Sequence, residues 1–394
     1  MSPALEYLKT QLDELDQGGL RLRIRTLENA QAARARFDGR DVINLASNNY
    51  LGLCADPRMR DAAAEAAREY GAGSGAVRSI AGTMTLHREL ERRFAAFKGA
   101  EDALMFPSGF AANAGTVAAI LTRDDVIVSD ELNHASIIDG ARLSRAEIKV
   151  FPHRDPAAAD RLLEETKRDG RVQLLITDGV FSMDGDIAPL PDLVEVAERH
   201  GAVMMIDDAH ASGVLGENGK GTVSHYGLDP KRVDVQVGTL SKAVGALGGF
   251  IAGPSHLIEW LQNRGRPFIF STSAPPAVAA ACLKALDILE QEPERVQRLW
   301  DRTRFFKEGL QKLGFDTGES QTPITPVIAG EATKAQELSA LLWEERVFTP
   351  AVVYPTVAKD RARVRTIVTA DHSEDDLREA LDAFERVGRK LELI

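Results

Sequence analysis

Short apolar runs that alternate with helical stretches constrain the fold of this chain more than any other feature. Each run ends in a polar or glycine-containing turn, and the runs cover residues 103–106, 126–128, 148–151, 174–176, 203–206, 233–237 and 249–251. Most runs are continuously apolar, which is typical of strands buried on both faces, whereas 233–237 alternates and predicts one exposed face. Alanine- and charge-rich stretches with helical spacing, such as 155–169 and 191–200, lie between them. The alternation predicts a mostly parallel sheet with helices on both faces.

The pattern changes after about residue 290. Amphipathic helices are predicted at 294–313, 333–345 and 374–391, and short strands around 325–328 and 363–368. Ser373 is placed to cap the last helix, whose first turn is acidic. We therefore predict an exposed N-terminal arm at 1–45, a large domain at 46–290 and a small α+β domain at 291–394.

Composition excludes several classes of function. The formal net charge is −11, from 48 basic and 59 acidic residues, and the lack of a basic stripe argues against a nucleic-acid partner. The longest apolar run, at 274–283, is far shorter than the roughly 20 residues that span a bilayer, so no membrane association is expected. Cys54 and Cys282 have no ligand spacing around them, so no metal site is predicted. Because the thiols suit a reducing compartment and the first residues lack a signal-peptide core, we expect a cytoplasmic protein.

Polar side chains follow several of the predicted strands at the point where each strand ends. Ligands of α/β sheets bind beyond the carboxyl ends of the strands, so residues at these ends are candidate site residues. Taken singly, each has an ordinary structural explanation, since a histidine can be a buried hydrogen-bonding residue, an aspartate a helix cap and a lysine a surface charge. The candidates are a small-residue turn at 108–113, His134, Ser182, Asp207, His210, Thr239 and Lys242.

Together these residues supply the groups that pyridoxal 5′-phosphate requires. A lysine desolvated at a strand end can lose its proton near neutral pH and attack a carbonyl as a Schiff-base nucleophile. A carboxylate from a neighbouring strand can hold a pyridine nitrogen protonated, and an imidazole can stack on the ring. Hydroxyls and a helix N-terminus can bind a phosphate. The coincidence of all these groups at strand ends favours a pyridoxal-phosphate site.

From about Asn44 to its C-terminus the chain resembles the α-oxoamine synthases, which are pyridoxal-phosphate-dependent acyl-CoA transferases. The motifs that carry the resemblance are SNNYLG at 47–52, SGFAAN at 108–113, NHAS at 133–136, FSMDGD at 181–186, DDAH at 207–210, TLSK at 239–242 and FSTS at 270–273. The resemblance implies the aspartate aminotransferase fold, also called fold type I. That fold has a large α/β domain with a mostly parallel seven-stranded sheet, followed by a small α+β C-terminal domain.

The resemblance also implies roles around the cofactor ring. Lys242 matches the lysine that binds the cofactor covalently as a Schiff base and moves the substrate Cα proton. Asp207 matches the partner of the pyridinium nitrogen, whereas Asp208 is expected to be structural. His210 and Ser182 match the partners of the phenolic oxygen, and His134 matches the histidine that stacks on the ring. The implied catalytic residues are Lys242, His134, Asp207 and His210.

Further positions match the binding sites for the phosphate. Gly109 and Phe110 offer backbone N–H groups, and Thr239 offers a hydroxyl. Thr272 and Ser273 match a segment that, in this family, reaches the phosphate from the other subunit. The resemblance therefore implies a homodimer with shared active sites.

Two positions match the binding site for the amino-acid substrate. Arg365 corresponds to the carboxylate-binding arginine, and a planar guanidinium fits a carboxylate through two parallel hydrogen bonds. Asn48 corresponds to an asparagine that helps to hold the same carboxylate. Lys242 and His134 are the candidates for acid–base catalysis.

Members of this family differ in the amino acid and the acyl thioester that they join. AVRSIAGT at 76–83 and Asn48–Asn49–Tyr50 favour glycine with acetyl-CoA, which gives 2-amino-3-oxobutyrate and a place in threonine degradation. YPTV at 354–357 departs from that pattern. The alternative is alanine with a pimeloyl thioester, which gives 8-amino-7-oxononanoate in biotin biosynthesis, or an enzyme with both activities.

One motif favours a different class of function. GAGSGA at 71–76 matches the dinucleotide fingerprint G-x-G-x-x-G/A. That fingerprint must follow a strand, but here it follows a stretch at 61–70 that is predicted to be helical, so dinucleotide binding is disfavoured. A non-catalytic binding module is disfavoured as well, because it would not need Lys242, Asp207 and His210 together.

Overall fold

A computed structural model describes residues 3–18, 20–21 and 24–394. Five residues of the predicted arm, at 1, 2, 19, 22 and 23, lie outside the described part. In chain order, strands β1 to β13 span Arg34–Phe37, Arg40–Asn44, Asp102–Phe106, Val126–Asp130, Glu147–Phe151, Gln173–Asp178, Val203–Asp207, Val235–Thr239, Gly249–Gly253, Ile324–Gly330, Val347–Phe348, Ala351–Val352 and Ala362–Ile367.

The helices lie mainly between these strands, as the alternation predicts. In chain order, α1 to α14 span Tyr7–Gln17, Pro57–Tyr70, Thr85–Lys98, Gly109–Ile120, Ala135–Ser144, Pro156–Thr166, Leu190–His200, Thr222–His225, Ser255–Arg264, Arg266–Ile269, Pro276–Gln291, Glu294–Leu313, Ala332–Glu344 and Glu374–Lys390. Among the described residues, no helix combines the length and the apolar character needed to cross a bilayer.

The large sheet has seven strands in the order β3-β9-β8-β7-β6-β4-β5. Strands β8, β7, β6, β4 and β5 run parallel to one another, and β9 is antiparallel to its neighbours β3 and β8. The fold class predicted from the sequence is therefore confirmed. The carboxyl ends of the parallel strands meet along one edge of the sheet, and this edge carries the residues predicted to form the site.

Two predictions of strand exposure are wrong. The alternating run at 233–237 predicts one exposed face, but β8 is buried along its whole length, because Val235 and Val237 pack with α4 and α9 on one face and Gln236 lies beside the end of α3 on the other. The mainly apolar run at 148–151, which Lys149 interrupts, is predicted with the other runs to be buried, but β5 is an edge strand, and most of its residues reach solvent. The position of a strand within a sheet is a long-range property that a local pattern does not encode.

The core divides between the two faces of this sheet. In β6, Leu174 and Ile176 pack into one apolar cluster, and Leu175, which lies between them, packs into another. Successive strand side chains point to opposite faces, so a continuously apolar strand supplies both clusters. Helices α4, α5 and α9 contribute to the first cluster, and α6 and α7 to the second.

The C-terminal elements form a smaller region with its own core. Strands β10, β13 and β12 form one sheet, and α12, α13 and α14 contribute most of the buried apolar side chains. Ser373 caps α14 as predicted, because its Oγ accepts the Asp376 N–H at 3.0 Å. Strand β2 pairs with β11 of this region and β1 pairs with β2, so residues 34–44 are part of the folded structure rather than an exposed arm. Helix α1 buries no residue. The proposed domain boundaries stay a prediction.

Candidate functional site

A cavity of about 240 Å³ opens at the carboxyl edge of the sheet. Strands β6 and β7 are in register so that Asp178 lies directly beside Asp207. Of the residues predicted from the sequence, those that line this cavity are Gly109, Phe110, His134, Asp207, His210, Thr239 and Lys242. The fold therefore brings together predicted residues from four strand ends, those of β3, β4, β7 and β8, and Asp178 at the end of β6 adds a fifth.

The N-terminus of α4 forms one wall of the cavity. Ser108 caps the helix through its Oγ, which accepts the Ala111 N–H at 3.1 Å. The next backbone N–H groups, of Gly109 and Phe110, belong to the first helical turn and have no acceptor within the helix. A Cβ at Gly109 would lie only 3.1 Å from the Cβ of Thr239, so glycine permits this close approach. The Oγ1 of Thr239 lies 2.8 Å from the Oγ of Ser241. Free N–H groups and two hydroxyls fit a phosphate.

Asp207 is buried at the end of β7 and is held on both oxygens. Its Oδ2 accepts a hydrogen bond from Asn113 Nδ2 at 2.6 Å, and its Oδ1 accepts the Ala209 N–H at 2.9 Å. Asn113 also donates to the Oγ of Ser136 at 2.9 Å. The carboxylate is thus fixed at the wall of the cavity, where it can pair with a cationic ring nitrogen.

His134 stands at the N-cap of α5 and lines the cavity. Its Nδ1 accepts the Ser136 N–H at 3.2 Å and lies 2.7 Å from the Ser136 Oγ. Burial lowers the pKa of His134. The ring is therefore neutral near pH 7, with its proton on Nε2.

Lys242 is the nucleophile candidate. Within the described part of the chain, its Nζ makes no hydrogen bond or ion pair. Burial lowers the pKa of Lys242 to about 8, although the charges of Asp207 and Asp178 oppose that shift. Burial and the neighbouring Asp207 raise the pKa of Asp178 well above its usual range. A lysine with this pKa has a substantial unprotonated fraction near neutral pH, as a Schiff-base nucleophile requires.

Arg365 lies on β13 beside this cavity, and its charge affects the pKa values of Lys242 and His210. Its Nη1 donates to the Ser182 carbonyl oxygen at 3.1 Å, while its buried Nε has no hydrogen-bond partner in the described chain. The Oδ1 of Asn48 is likewise buried without a partner there. A half-buried cation with an unused donor fits the carboxylate of an amino acid.

Besides Asn48 and Arg365, three further predicted residues do not line the cavity of Lys242. Ser182 lines an adjacent cavity of about 210 Å³, beside Arg363. Thr272 and Ser273 lie against the 76–77 segment, where Ser273 N–H donates to the Ala76 carbonyl at 3.0 Å. Within one chain they do not reach Lys242, and their predicted contact with another subunit's site stays a prediction.

Sequence reasoning missed four residues that take part in the site, namely Tyr50, Asn113, Ser136 and Asp178. Asn113 could have been found, because it lies four residues after Gly109 and therefore on the same face of α4. Asp178 ends a buried strand in the same way as Asp207 does. Tyr50 and Ser136 lie within quoted motifs, but their hydroxyl partners are defined only by the tertiary structure.

Comparisons with known proteins identify the family. A model described as aminotransferase class I and II matches residues 40–384. The 8-amino-7-oxononanoate synthase of Symbiobacterium thermophilum is 59% identical over 389 residues, which are 99% of each chain. The 8-amino-7-oxononanoate synthase 1 of Bacillus subtilis is 51% identical over the whole of both chains.

These relatives overturn the predicted preference for glycine and acetyl-CoA, and with it the role in threonine degradation. Of the two motifs that supported the prediction, the one at 76–83 does not line the cavity of Lys242 in its own chain. Arg78 of that motif forms a buried pair with Glu91, at 2.8 and 2.9 Å. The remaining motifs are predicted to serve the cofactor and the amino-acid carboxylate, which are common to the family, and such roles do not report on the acyl chain.

Solved structures agree with this family. A serine palmitoyltransferase from S. paucimobilis with a bound PLP–myriocin aldimine superimposes with a TM-score of 0.93 at 30% identity, covering 99% of each chain. The match extends over both the large sheet and the C-terminal region. The chain therefore belongs to the aminotransferase class I and II family, and within it to the α-oxoamine synthases.

Proposed function

We propose that this chain is an 8-amino-7-oxononanoate synthase. It joins L-alanine to the acyl group of a pimeloyl thioester and releases carbon dioxide and the free thiol. The observation that carries the proposal is the identity of 59% and 51%, over nearly the whole chain, to proteins of that name. The cavity supports it, since Lys242, Asp207 and Arg365 supply a nucleophile, a fixed carboxylate and a carboxylate-binding cation.

The residues present fit pyridoxal phosphate. The N–H groups of Gly109 and Phe110, with the hydroxyl of Thr239, would hold the phosphate, and Asp207 would pair with the pyridine nitrogen. His134, which lines the cavity, would stack on the ring. When bound, the cofactor supplies an electron sink that stabilises a carbanion at the Cα atom of the amino acid.

The side chains of the site would bind the substrate carboxylate, move the Cα proton and donate a hydrogen bond to the cofactor. The guanidinium of Arg365 binds the alanine carboxylate and so orients the Cα–H bond. The Nζ of Lys242, with a pKa of about 8, removes the Cα proton and keeps it available for return. His210 would donate a hydrogen bond from its Nε2 to the phenolic oxygen of the cofactor.

We propose that two copies of the chain assemble into the active form. Thr272 and Ser273, which do not reach Lys242 in their own chain, would then contact the phosphate of the partner subunit's site. Ile80 and Phe270, which are 83% and 69% exposed, lie near the bridge between Val77 and Thr272 and offer an apolar surface for the second copy. Sedimentation should give a dimer, and Ile80→Asp should dissociate it with loss of activity. A fully active monomer would contradict the dimer.

A substrate matrix tests the proposed reaction. Alanine or glycine is combined with pimeloyl-CoA or acetyl-CoA, and thiol release and carbon dioxide are measured. Alanine with pimeloyl-CoA should exceed every other pair by about 10²-fold in kcat/KM, a degree of discrimination that matched pockets reach. Faster turnover of any other pair would overturn the assignment.

Borohydride reduction followed by peptide mapping tests the cofactor independently of turnover. The pyridoxyl group should be found on the peptide that contains Lys242. Label on another lysine, or no label, would remove Lys242 from its proposed role.

A further inference from the structure

Tyr50 has no assigned role, yet its hydroxyl contacts the cavity wall. The side chain is 1% exposed and packs in the main apolar cluster of the large domain. Its hydroxyl oxygen lies 2.7 Å from Nδ1 of His210, and the two rings meet edge to face at 81°. The phenol also lies near Arg365, because each group affects the pKa of the other, but the hydrogen bond that links it to the cavity wall is the one to His210.

The protonation states of Tyr50 and His210 determine which of the two groups donates this hydrogen bond. Burial raises the pKa of Tyr50, so the phenol keeps its proton. Burial and the charges of Lys242 and Arg365 lower the pKa of His210 well below its usual value, so the imidazole is neutral. A neutral imidazole carries its proton on one nitrogen only.

The two possible tautomers of His210 differ in whether the buried hydroxyl of Tyr50 has a hydrogen-bond acceptor. If Nδ1 carried the proton, it would donate to the phenol, and the Tyr50 O–H would have no acceptor among the side chains and backbone of the described chain. If Nε2 carries the proton, Tyr50 donates to Nδ1 and both groups are satisfied. A buried hydroxyl without a partner is unfavourable, so the second arrangement is the stable one.

We propose that Tyr50 is a positioning residue that holds His210 as the neutral Nε2–H tautomer, with that N–H directed to the cavity. His210 lines the cavity, and its Nδ1 is taken by Tyr50, which leaves Nε2 as the donor available to a ligand. The inference rests on the proposed function, because a fixed donor matters only if the bound cofactor presents an acceptor, such as its phenolic oxygen.

The tautomer can be measured directly in the wild-type holoenzyme. Protein labelled with ¹⁵N-histidine is observed by long-range ¹H–¹⁵N correlation, and the His210→Gln variant assigns the resonances. A protonated Nε2 with an unprotonated Nδ1 supports the proposal. A protonated Nδ1, or a doubly protonated ring, overturns it without any need for a stable Tyr50 variant.

The Tyr50→Phe variant tests the consequence for catalysis. Removing only the hydroxyl should lower kcat about tenfold, the scale of one lost hydrogen bond, while the KM for alanine changes less than about threefold. The matched control is Tyr226→Phe, which removes a hydroxyl that donates to the Ala188 carbonyl at 3.0 Å outside the cavity. That control should leave kcat unchanged.

A double-mutant cycle separates positioning from a general structural effect. In the His210→Ala background, Tyr50→Phe should cause no further loss, because Tyr50 acts through His210. An equal loss in both backgrounds, or no loss in either, overturns the inference. Failure of the proposed function would be distinguishable, because the wild-type protein would then lack the alanine and pimeloyl-CoA activity.

Discussion

Asp207 and Asp208 are adjacent in sequence, and each lies near a different lysine. Asp208 is ion-paired with Lys98, whereas Lys242, near Asp207, makes no hydrogen bond or ion pair in the described chain. Asp208 forms an ion pair with Lys98 at 2.7 Å, and both side chains are 0% exposed. Lys98 also donates to the Lys220 carbonyl at 2.7 Å, and the Oδ2 of Asp208 accepts the Thr222 N–H at 3.1 Å. Across the sheet, Asp207 is held by Asn113, and its neighbour Lys242 has no partner in the described chain.

The end of β7 therefore supplies one aspartate to the cavity, Asp207, and one to a buried ion pair, Asp208. Consecutive strand residues point to opposite sides, so Asp207 reaches the cavity and Asp208 reaches the packed interior. The Nζ of Lys98 is occupied by oxygen acceptors and cannot act as a nucleophile. The Nζ of Lys242 is left without a partner in the described chain and lines an open cavity. We expect the first lysine to matter for stability and the second for activity.

The largest effect is expected for Lys242→Met. Without the amine, no covalent attachment of the cofactor is possible, and turnover should fall by at least about 10³-fold. Because no ion pair is lost, the free energy of unfolding should change by less than about 1 kcal/mol. Steady-state kinetics and urea unfolding measure the two quantities. Substantial residual turnover would mean that another group is the nucleophile.

Replacing Lys98 with methionine should lower the free energy of unfolding and leave turnover unchanged, the reverse of what is expected for Lys242→Met. Lys98→Met leaves Asp208 buried and unpaired, which should lower the free energy of unfolding by about 3–5 kcal/mol. Replacing Asp208 with leucine in that background should recover part of the loss, since the uncompensated charge is then removed. The folded fraction should retain its kcat. A stable Lys98→Met protein would show that the pair does not stabilise the fold.

The two arginines of β13 extend the comparison. The Nη1 of Arg363 donates to Asp184 Oδ1 at 2.6 Å and to the Met183 carbonyl oxygen at 2.9 Å. The Nε of Arg365, by contrast, has no partner in the described chain. Arg365→Ala should raise the KM for alanine about 10- to 100-fold, the scale of a lost charge-assisted hydrogen bond, with cofactor binding intact. Arg363→Ala should instead lower stability. An unchanged KM in the Arg365 variant would remove it from the substrate site.

The smallest effect is the pH dependence of lysine reactivity in cofactor-free protein. The folded-state pKa of Lys242 is about 8, below its usual value of 10.5. Deprotonation therefore costs folded protein less than unfolded chain, and stability rises as the pH increases from about 8 towards 10.5. Acylation of Lys242, followed by peptide mapping, should be half-maximal near pH 8. Lys98 should stay unlabelled, and equal labelling of both lysines would contradict the distinction.

Local sequence patterns were sufficient to predict much of the architecture. Helix α12 has the predicted bounds, and Ser373 caps α14, because periodicity and capping depend only on residues that are close in the chain. The buried runs predicted the strands of the sheet, and the rule that ligands bind at strand ends predicted the place of His134, Asp207 and Lys242. Exposure along β5 and β8 was mispredicted, because it depends on which strands and helices lie alongside.

The sequence by itself determined the set of chemical groups and the family, since motifs such as DDAH and TLSK carry both the residue types and their spacing. Only the tertiary structure decided how these groups pair. Which of Asp207 and Asp208 faces the cavity depends on the pleat of β7, and the partner of Lys98 lies 110 residues away in the chain. Tyr50 meets His210 across 160 residues. Such pairings follow from strand register and packing between distant segments, which no local pattern specifies.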